Sequence, residues 1–375
     1  MKIKSQPVKV ALVHDYLKEF GGAERVLAAL TEIWPDAPIY TAFVDRQSAA
    51  GKAFANSKVI ESRFAPLIKH KNLYSPLRFL APLIWKSFDL SDYDLVISSA
   101  SWYITRGFKV GKETKVFCYC HTPPRYLYGY PTSVEWQRYS LVRLYALLVN
   151  HFLRLYDYDS AQTVNYFIAN SKNVQARIRK FYRKEATVIY PPVEVEKIEK
   201  ATVHSVPENY YLVVSRVVGA KGIELAVEAA KQLKIPLKVI GETAGLRWHD
   251  KKLEKIKNPY VEFLGRVPDE ELYRYFGSCR AFLALATDED FGITPVEAMA
   301  AGRPVIAFAG GGYLETVVDG KTGVFYNEPT VESLVQVIKE FDPAKYKKKD
   351  CQVQAEKFNK EHFKKEIISF IKQHA

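Results

Sequence analysis

The sequence predicts an α/β protein built from two doubly wound parallel sheets, and three observations carry that prediction. Short β-branched runs alternate with helical stretches, the series starts afresh at Tyr210, and the adjacent Pro191 and Pro192 break any element that would cross between the two series. A length of 375 residues agrees, because domains average about 150 residues and a single core seldom grows so large. The boundaries drawn from this are an N-terminal lobe over 1–190 and a C-terminal lobe over 191–355. A last helix over about 356–375 is expected to pack back on the first lobe.

The elements follow in order. VKVALVHDY reads as a strand, Gly21 and Gly22 as a turn, and GGAERVLAALTEIW as a helix whose Val26, Leu27, Leu30 and Ile33 recur at helical spacing. Residues 95–97, 116–119 and 167–169 are short apolar runs of the kind that parallel strands bury on both faces. In the second lobe YYLVVSRV, LKVIGE, YVEFLGRV, AFLALAT and RPVIAFA are strands. The helices GIELAVEAAKQL, DEELYRYFGSC and TPVEAMAAG lie between them, and LETVVDG starts a further helical turn. The tail EKFNKEHFKKEIISFIKQH lines up Phe358, Phe363, Ile367 and Phe370 and needs a surface to dock on.

Composition narrows the function. Hydrophobic residues at 48% and charged residues at 26% describe a folded chain, not a disordered one. The formal charge of +12 asks for an anionic partner: nucleic acid, a phosphorylated small molecule or an acidic membrane. The N-terminal apolar stretch stops at His14 and Asp15, too short for a secretory signal. The longest apolar candidate, 141–156, is interrupted by Arg143, His151 and Arg154, so no spanning helix is expected. Four scattered cysteines, at 118, 120, 279 and 351, make neither a disulfide framework nor a zinc site, and a cytoplasmic setting fits. The basic residues are dispersed with no nucleic-acid motif, and the first turn lacks G-x-G-x-x-G, which argues against a nicotinamide dehydrogenase.

Two segments carry chemistry. SRVVGAKG puts Arg216 and Lys221 in the turn after a strand, with Gly219 and Gly222 permitting close backbone approach. Two cations at a sheet mouth suit a diphosphate, and they equally suit a solvated loop. EDFGITPVEAMAAG sets Glu289 in a loop and Glu297 eight residues on in a helix. Thr294 before Pro295 reads as an N-cap, so that Gly292, Ile293 and Thr294 turn their N–H groups toward an anion. The two glutamates read either as acceptors for sugar hydroxyls or as acids complementing a helix dipole.

E-x7-E from Glu289 to Glu297, together with S-R-x4-K-G from Ser215 to Gly222, resembles the retaining glycosyltransferase family 4, whose architecture is GT-B: two Rossmann-like lobes with a cleft between them. GGAER, HTPPRYLY, ANSKNVQARI, IYPPV and FLGRVPDEEL resemble that family in the same order, over nearly the whole chain. The resemblance implies that Arg216 and Lys221 grip the donor diphosphate, Glu297 the ribose and Glu289 the transferred sugar. It adds Phe291, Gly292, Ile293 and Thr294 to the donor site, with Gly241 and Val267 beside the base. His121 is implied to face the reacting sugar, Gly21 and Gly22 to let phosphate and acceptor approach the backbone, and Arg125 to meet the acceptor phosphate. It further implies retention by front-face attack, with the departing phosphate taking the acceptor proton, and no metal or other cofactor.

YCHTPPRYLYGY is similar to members that move mannose or a related deoxy sugar from a GDP donor in bacterial O-antigen and exopolysaccharide assembly, although Pro124 stands where most members have Met. GDP-mannose is therefore the expected donor, with a UDP-sugar transferase or a nucleotide-sugar 2-epimerase as alternatives. Residues 62–88 hold five Lys or Arg, five aromatics and no acid. They fit an anionic membrane surface beside a lipid-diphosphate-linked or saccharide acceptor, with Lys69, Lys71 and Arg78 as lipid-facing cations. They fit equally a packed segment with cations at its rim.

Overall fold

VALVH and LVISSA are buried along their whole length, as strands of a parallel sheet covered by helices on both faces must be. The structure, a computed structural model, describes residues 8–70, 73–132, 140–216, 221–242 and 258–374; Lys71 and Gly219 lie outside the described residues. The first half supplies strands β1 (Val10–His14), β2 (Ile39–Thr41), β3 (Val59–Glu61), β4 (Asp89–Leu90), β5 (Leu95–Ala100), β6 (Lys109–Val110), β7 (Lys115–Cys120), β8 (Tyr166–Ala169) and β9 (Ala186–Val188). Seven form a parallel sheet in the order β3-β2-β1-β5-β7-β8-β9, while β4 and β6 pair separately. The second half supplies β10 (Tyr211–Val214), β11 (Leu237–Ile240), β12 (Val261–Gly265), β13 (Ala281–Ala284), β14 (Val305–Phe308) and β15 (Gly323–Tyr326). These form a parallel sheet ordered β12-β11-β10-β13-β14-β15.

Strand order reverses once in each sheet, between β1 and β5 in the first and between β10 and β13 in the second. Flanking helices diverge at such a point and leave a crevice at the carboxyl ends of the strands. The chain therefore has two switch points, with His14 paired in register to Ser99 at the first.

The residues up to Pro192, rejoined by those from Phe363, form one unit, and Val193–His362 form the other, which also takes Pro131 and Thr132. Four helices matter below: α1 (Gly22–Ile33), α2 (Ser140–Gln162), α3 (Ile293–Ala300) and α4 (Lys360–His374). Val26, Leu27 and Leu30 of α1 and Phe363, Ile367 and Ile371 of α4 pack on one face of the first sheet with Leu12, Ile39, Ile97 and Phe117. Each such side chain contributes about 1.5–3 kcal/mol by burial. Lys364 adds an ion pair to Glu32 at 3.1 Å. Trp85, Tyr103 and Tyr182 lie in the core of the opposite face.

Several local expectations change. Strands β2, β3, β9 and β15, each of three or four residues, carry too short a pattern to stand out in the sequence. Phe358 does not share a face with Phe363: its ring packs on Phe291 at 5.3 Å in the second unit, while Phe363 onward belongs to the first.

The largest correction concerns 62–88. Arg78 is not lipid-facing but buried, its guanidinium over the rings of Tyr126 and Tyr145 and donating to Asn150 Oδ1 at 3.2 Å and Ser75 O at 3.2 Å. A cation can be buried there because carbonyl and aromatic faces receive its charge. Lys69 pairs with Glu61 at 2.9 Å. Among the described residues no helix is long and apolar enough to cross a membrane.

Candidate functional site

At the first switch point, polar side chains stand at the carboxyl ends of three strands. Glu24, in the first turn of α1, accepts the Gly21 N–H at 2.8 Å through Oε2 and reaches His14 Nε2 at 3.3 Å through Oε1. His14 Nδ1 lies 3.0 Å from Ser99 Oγ, and Ser99 Oγ lies 2.8 Å from His121 Nε2. Four side chains from β1, α1, β5 and the end of β7 thus form one chain of hydrogen bonds, whose donor sense is set by the imidazole tautomers. Asp15 braces the neighbouring loop by accepting the N–H groups of Ser101, Trp102 and Tyr103 at 3.3, 2.6 and 3.1 Å and the Thr105 hydroxyl.

Behind His121 the ANSKN segment is a support. Asn170 Nδ2 donates to His121 O at 2.9 Å, Ser171 caps the helix Lys172–Tyr182 by accepting Val174 N–H at 3.0 Å, and Arg177 donates to Thr122 Oγ1 at 3.2 Å. Gly21 and Gly22 are exposed at the start of α1, and Arg125 is half-buried in the short turn Arg125–Leu127.

Burial, reinforced by the neighbouring His14, drives the His121 imidazole down to about 3. It is therefore neutral throughout the physiological range. Because the unfolded chain takes up that proton near 6.5, the stabilisation is complete above that pH and is lost as pH falls toward 3. His121→Asn should flatten the decline in thermal midpoint between about pH 6.5 and 4 relative to the parent. Equal slopes for the two proteins would overturn the assignment.

The second switch point collects the donor-site candidates. Arg216 is exposed just beyond β10, and Lys221 opens the next helical segment. Lys221 Nζ pairs with Glu289 Oε2 at 2.6 Å, and the Tyr313 hydroxyl donates to the same oxygen at 3.4 Å. Burial, aided by Glu289, raises the Tyr313 phenol well above its ordinary value, so it remains a donor.

The helix cap differs from the sequence reading: the N-cap of α3 is Gly292, not Thr294. Gly292 has φ of +90°, and a Cβ there would meet Tyr313 Cε1 at 2.8 Å, so the left-handed cap and the ring contact both favour glycine. Ile293 and Thr294 keep their place in the first turn, with Pro295 third and lacking an N–H of its own. Glu297, only 2% exposed, sits in the second turn and is not a solvated acid balancing the dipole. Phe291 packs its ring against Phe358, so what it can offer a ligand is backbone.

Gly241 and Val267 follow the ends of β11 and β12. Gly241 donates to Gly265 O at 2.8 Å and packs so tightly, with φ of +143°, that a Cβ would stand 1.9 Å from Ser215 O. Asp288 and Asp290 flank Glu289 at Asp-x-Asp spacing, yet among the described residues no group of three His, Cys, Asp or Glu side chains could hold a metal ion.

Sequence reasoning missed His14, Ser99, Glu24, Tyr313 and the run Gly310–Gly312, whose last N–H donates to Glu289 O at 2.9 Å. Polar residues closing apolar strands, and three consecutive glycines, were the available signals.

Two family models and several known proteins match the chain. The family described as Glycosyltransferase Family 4 matches residues 20–197, and Glycosyl transferases group 1 matches residues 194–372. The chain is 25% identical over 314 residues to alpha-1,3/1,6-mannosyltransferase ALG2 of Dictyostelium discoideum, covering 72% of each chain. It is 37% identical over 86 residues to the lipopolysaccharide core biosynthesis mannosyltransferase LpcC of Rhizobium leguminosarum bv. viciae, covering 22% of this chain and 24% of that one. Its fold is similar to that of Anabaena HepE in complex with UDP and glucose, with TM-score 0.70 and 18% identity over 98% of this chain and 100% of that one. The chain is a mannosyltransferase-like glycosyltransferase that has the GT-B fold and belongs to glycosyltransferase family 4.

Proposed function

We propose that the protein transfers mannose from GDP-mannose, with retention of configuration and without a metal ion, to a lipid-diphosphate-linked or saccharide acceptor in cell-surface polysaccharide assembly. The work would take place at the cytoplasmic face of the membrane. The observation that carries the donor side is the Lys221–Glu289 pair at the second switch point, with Arg216 just beyond β10 and the N-cap of α3 against Glu289. As the bond from the anomeric carbon to the phosphate oxygen breaks, its electrons go to the leaving diphosphate. Arg216, Lys221 and the N–H groups of Ile293 and Thr294 would stabilise that charge. Glu289, released from Lys221 by the arriving diphosphate, would accept hydrogen bonds from the sugar, and Glu297 from the ribose. The departing phosphate oxygen would take the acceptor's proton. On the acceptor side, Gly21, Gly22 and Arg125 would admit the acceptor phosphate, while neutral His121, held by Ser99, would face the sugar.

The mannosyltransferase names of the relatives favour mannose. A UDP-sugar donor is the second reading, favoured by the UDP and glucose bound to the structurally similar HepE. Calorimetry against GDP, UDP and ADP, followed by turnover of the matching sugars, separates the two. GDP should bind at least about tenfold more tightly than the others, a difference of about 1.4 kcal/mol. Equal affinities would remove the GDP reading, and donor conversion without any acceptor would point to an epimerase.

A further inference from the structure

The polar chain at the first switch point is open at one end. Glu24 reaches His14 Nε2, His14 Nδ1 reaches Ser99 Oγ, and Ser99 Oγ reaches His121 Nε2, while His121 Nδ1 has no partner among the described residues. Both imidazoles are buried, at 1 and 8% exposed. Polar groups inside a protein are as a rule paired, so a buried ring nitrogen left over at the mouth of a crevice is a position for a ligand to meet.

What that nitrogen offers a ligand is decided at the other end. The Ser99 hydroxyl holds one proton, which gives the chain a direction. Donation from Ser99 to His14 makes His121 Nε2 a donor and Nδ1 an acceptor, and donation from Ser99 to His121 does the reverse. Glu24 accepts the Gly21 N–H at 2.8 Å through one carboxylate oxygen and has only an acceptor to offer at the other, so a neutral His14 must turn its single N–H toward it. We infer that Glu24, acting through His14 and Ser99, fixes the proton of His121 on Nε2, so that Nδ1 meets the substrate as a hydrogen-bond acceptor for a sugar hydroxyl. Glu24, His14 and Ser99 are then positioning residues that act through the imidazole. Burial keeps His121 neutral, and only a neutral ring has a tautomer to set. The inference rests on the reading that His121 faces the reacting sugar, and it extends that site by three side chains as far as α1.

Glu24→Gln tests it. An amide has one acceptor oxygen where a carboxylate has two, and the Gly21 N–H, which cannot change its sense, takes that oxygen. The amide nitrogen then donates to His14 Nε2, the chain reverses, and the His121 proton moves to Nδ1. Nitrogen NMR of the full chain, isotopically labelled in its histidine rings and assigned with His121→Asn, should find the His121 proton on Nε2 in the parent and on Nδ1 in Glu24→Gln. Ser99→Ala, which cuts the chain without reversing it, should leave a mixture of the two forms. Single-turnover transfer by Glu24→Gln should fall about tenfold, as for one lost hydrogen bond. Its thermal midpoint and nucleoside diphosphate affinity should stay near parental, which separates a change of tautomer from misfolding. In a His121→Asn background Glu24→Gln should have no further effect on transfer, because asparagine has no tautomer. A parental His121 proton on Nδ1, a doubly protonated His14, or a His121 signal that Glu24→Gln leaves unchanged sinks the inference. A proton that moves as stated while transfer is unchanged sinks it differently, by removing the sugar-facing role of His121 while the hydrogen-bond chain itself stands.

Discussion

Glu289→Ala should lower glycosyl transfer about 10²- to 10³-fold, the size of effect seen when one group serving only the transition state is removed. Binding of nucleoside diphosphate should persist or tighten. The reason lies in the pair that Glu289 makes: Lys221 Nζ stands 2.6 Å from its Oε2, so a diphosphate that takes up Lys221 must displace the carboxylate. Without Glu289 the ammonium is already unpaired and the diphosphate meets no competitor. Glu289→Gln, which retains an acceptor oxygen but no charge, should fall between parent and alanine in transfer. Single-turnover rates with saturating donor, beside calorimetry with the nucleoside diphosphate, read both effects. Transfer near the parental rate would overturn the sugar-contacting role. Parallel loss of diphosphate binding would instead make Glu289 a prop for the loop.

The largest effect on stability is expected at Asp157. This buried carboxylate on the inner face of α2 receives Arg106, the Tyr128 hydroxyl at 2.7 Å and the Tyr182 hydroxyl at 3.3 Å. Burial pushes its carboxyl upward while Arg106 and the two phenols pull it back. Asp157→Ala leaves the Arg106 guanidinium buried without its carboxylate, which costs about 3–5 kcal/mol, roughly 10 °C for a unit of this size. Adding Arg106→Met to Asp157→Leu should restore part of the loss, because an apolar pair removes both charges from the interior together while the Tyr128 and Tyr182 hydroxyls lose their acceptor. Denaturation midpoints for the first unit decide the matter. A single variant within about 1 kcal/mol of the parent would mean that water reaches the pair.

Legibility in the sequence followed distance along the chain. Arg216 and Lys221 share one turn and Glu289 and Glu297 one loop and helix, so their residue types and spacing could be read directly. Their convergence could not. Lys221 and Glu289 are 68 residues apart and meet because β13 lies beside β10, a neighbour relation that no local pattern encodes. The same limit hid His14 and Ser99, which are 85 residues apart and brought side by side by the β1–β5 register. Arg78 looked like a surface cation because its burial is supplied by Tyr126, Tyr145 and Asn150, far along the chain. The Thr294–Pro295 pair was a sound local signal for a cap, but the left-handed turn at Gly292 started the helix sooner.

The placement of α4 has a consequence for how the chain is made. Phe363, Ile367 and Ile371 cover a sheet whose strands all lie before Pro192. During synthesis the first unit must therefore wait, one face of its sheet covered only in part by α1, while about 170 further residues are added, on the order of ten seconds or more at ordinary elongation rates. The second unit can assemble in that interval, because all of it but a short piece near Pro131 comes from Val193–His362. Biogenesis thus runs against sequence order: the half that begins first finishes last, and a ribosome stalled before Phe363 leaves the first unit, not the second, exposed to chaperones and proteases.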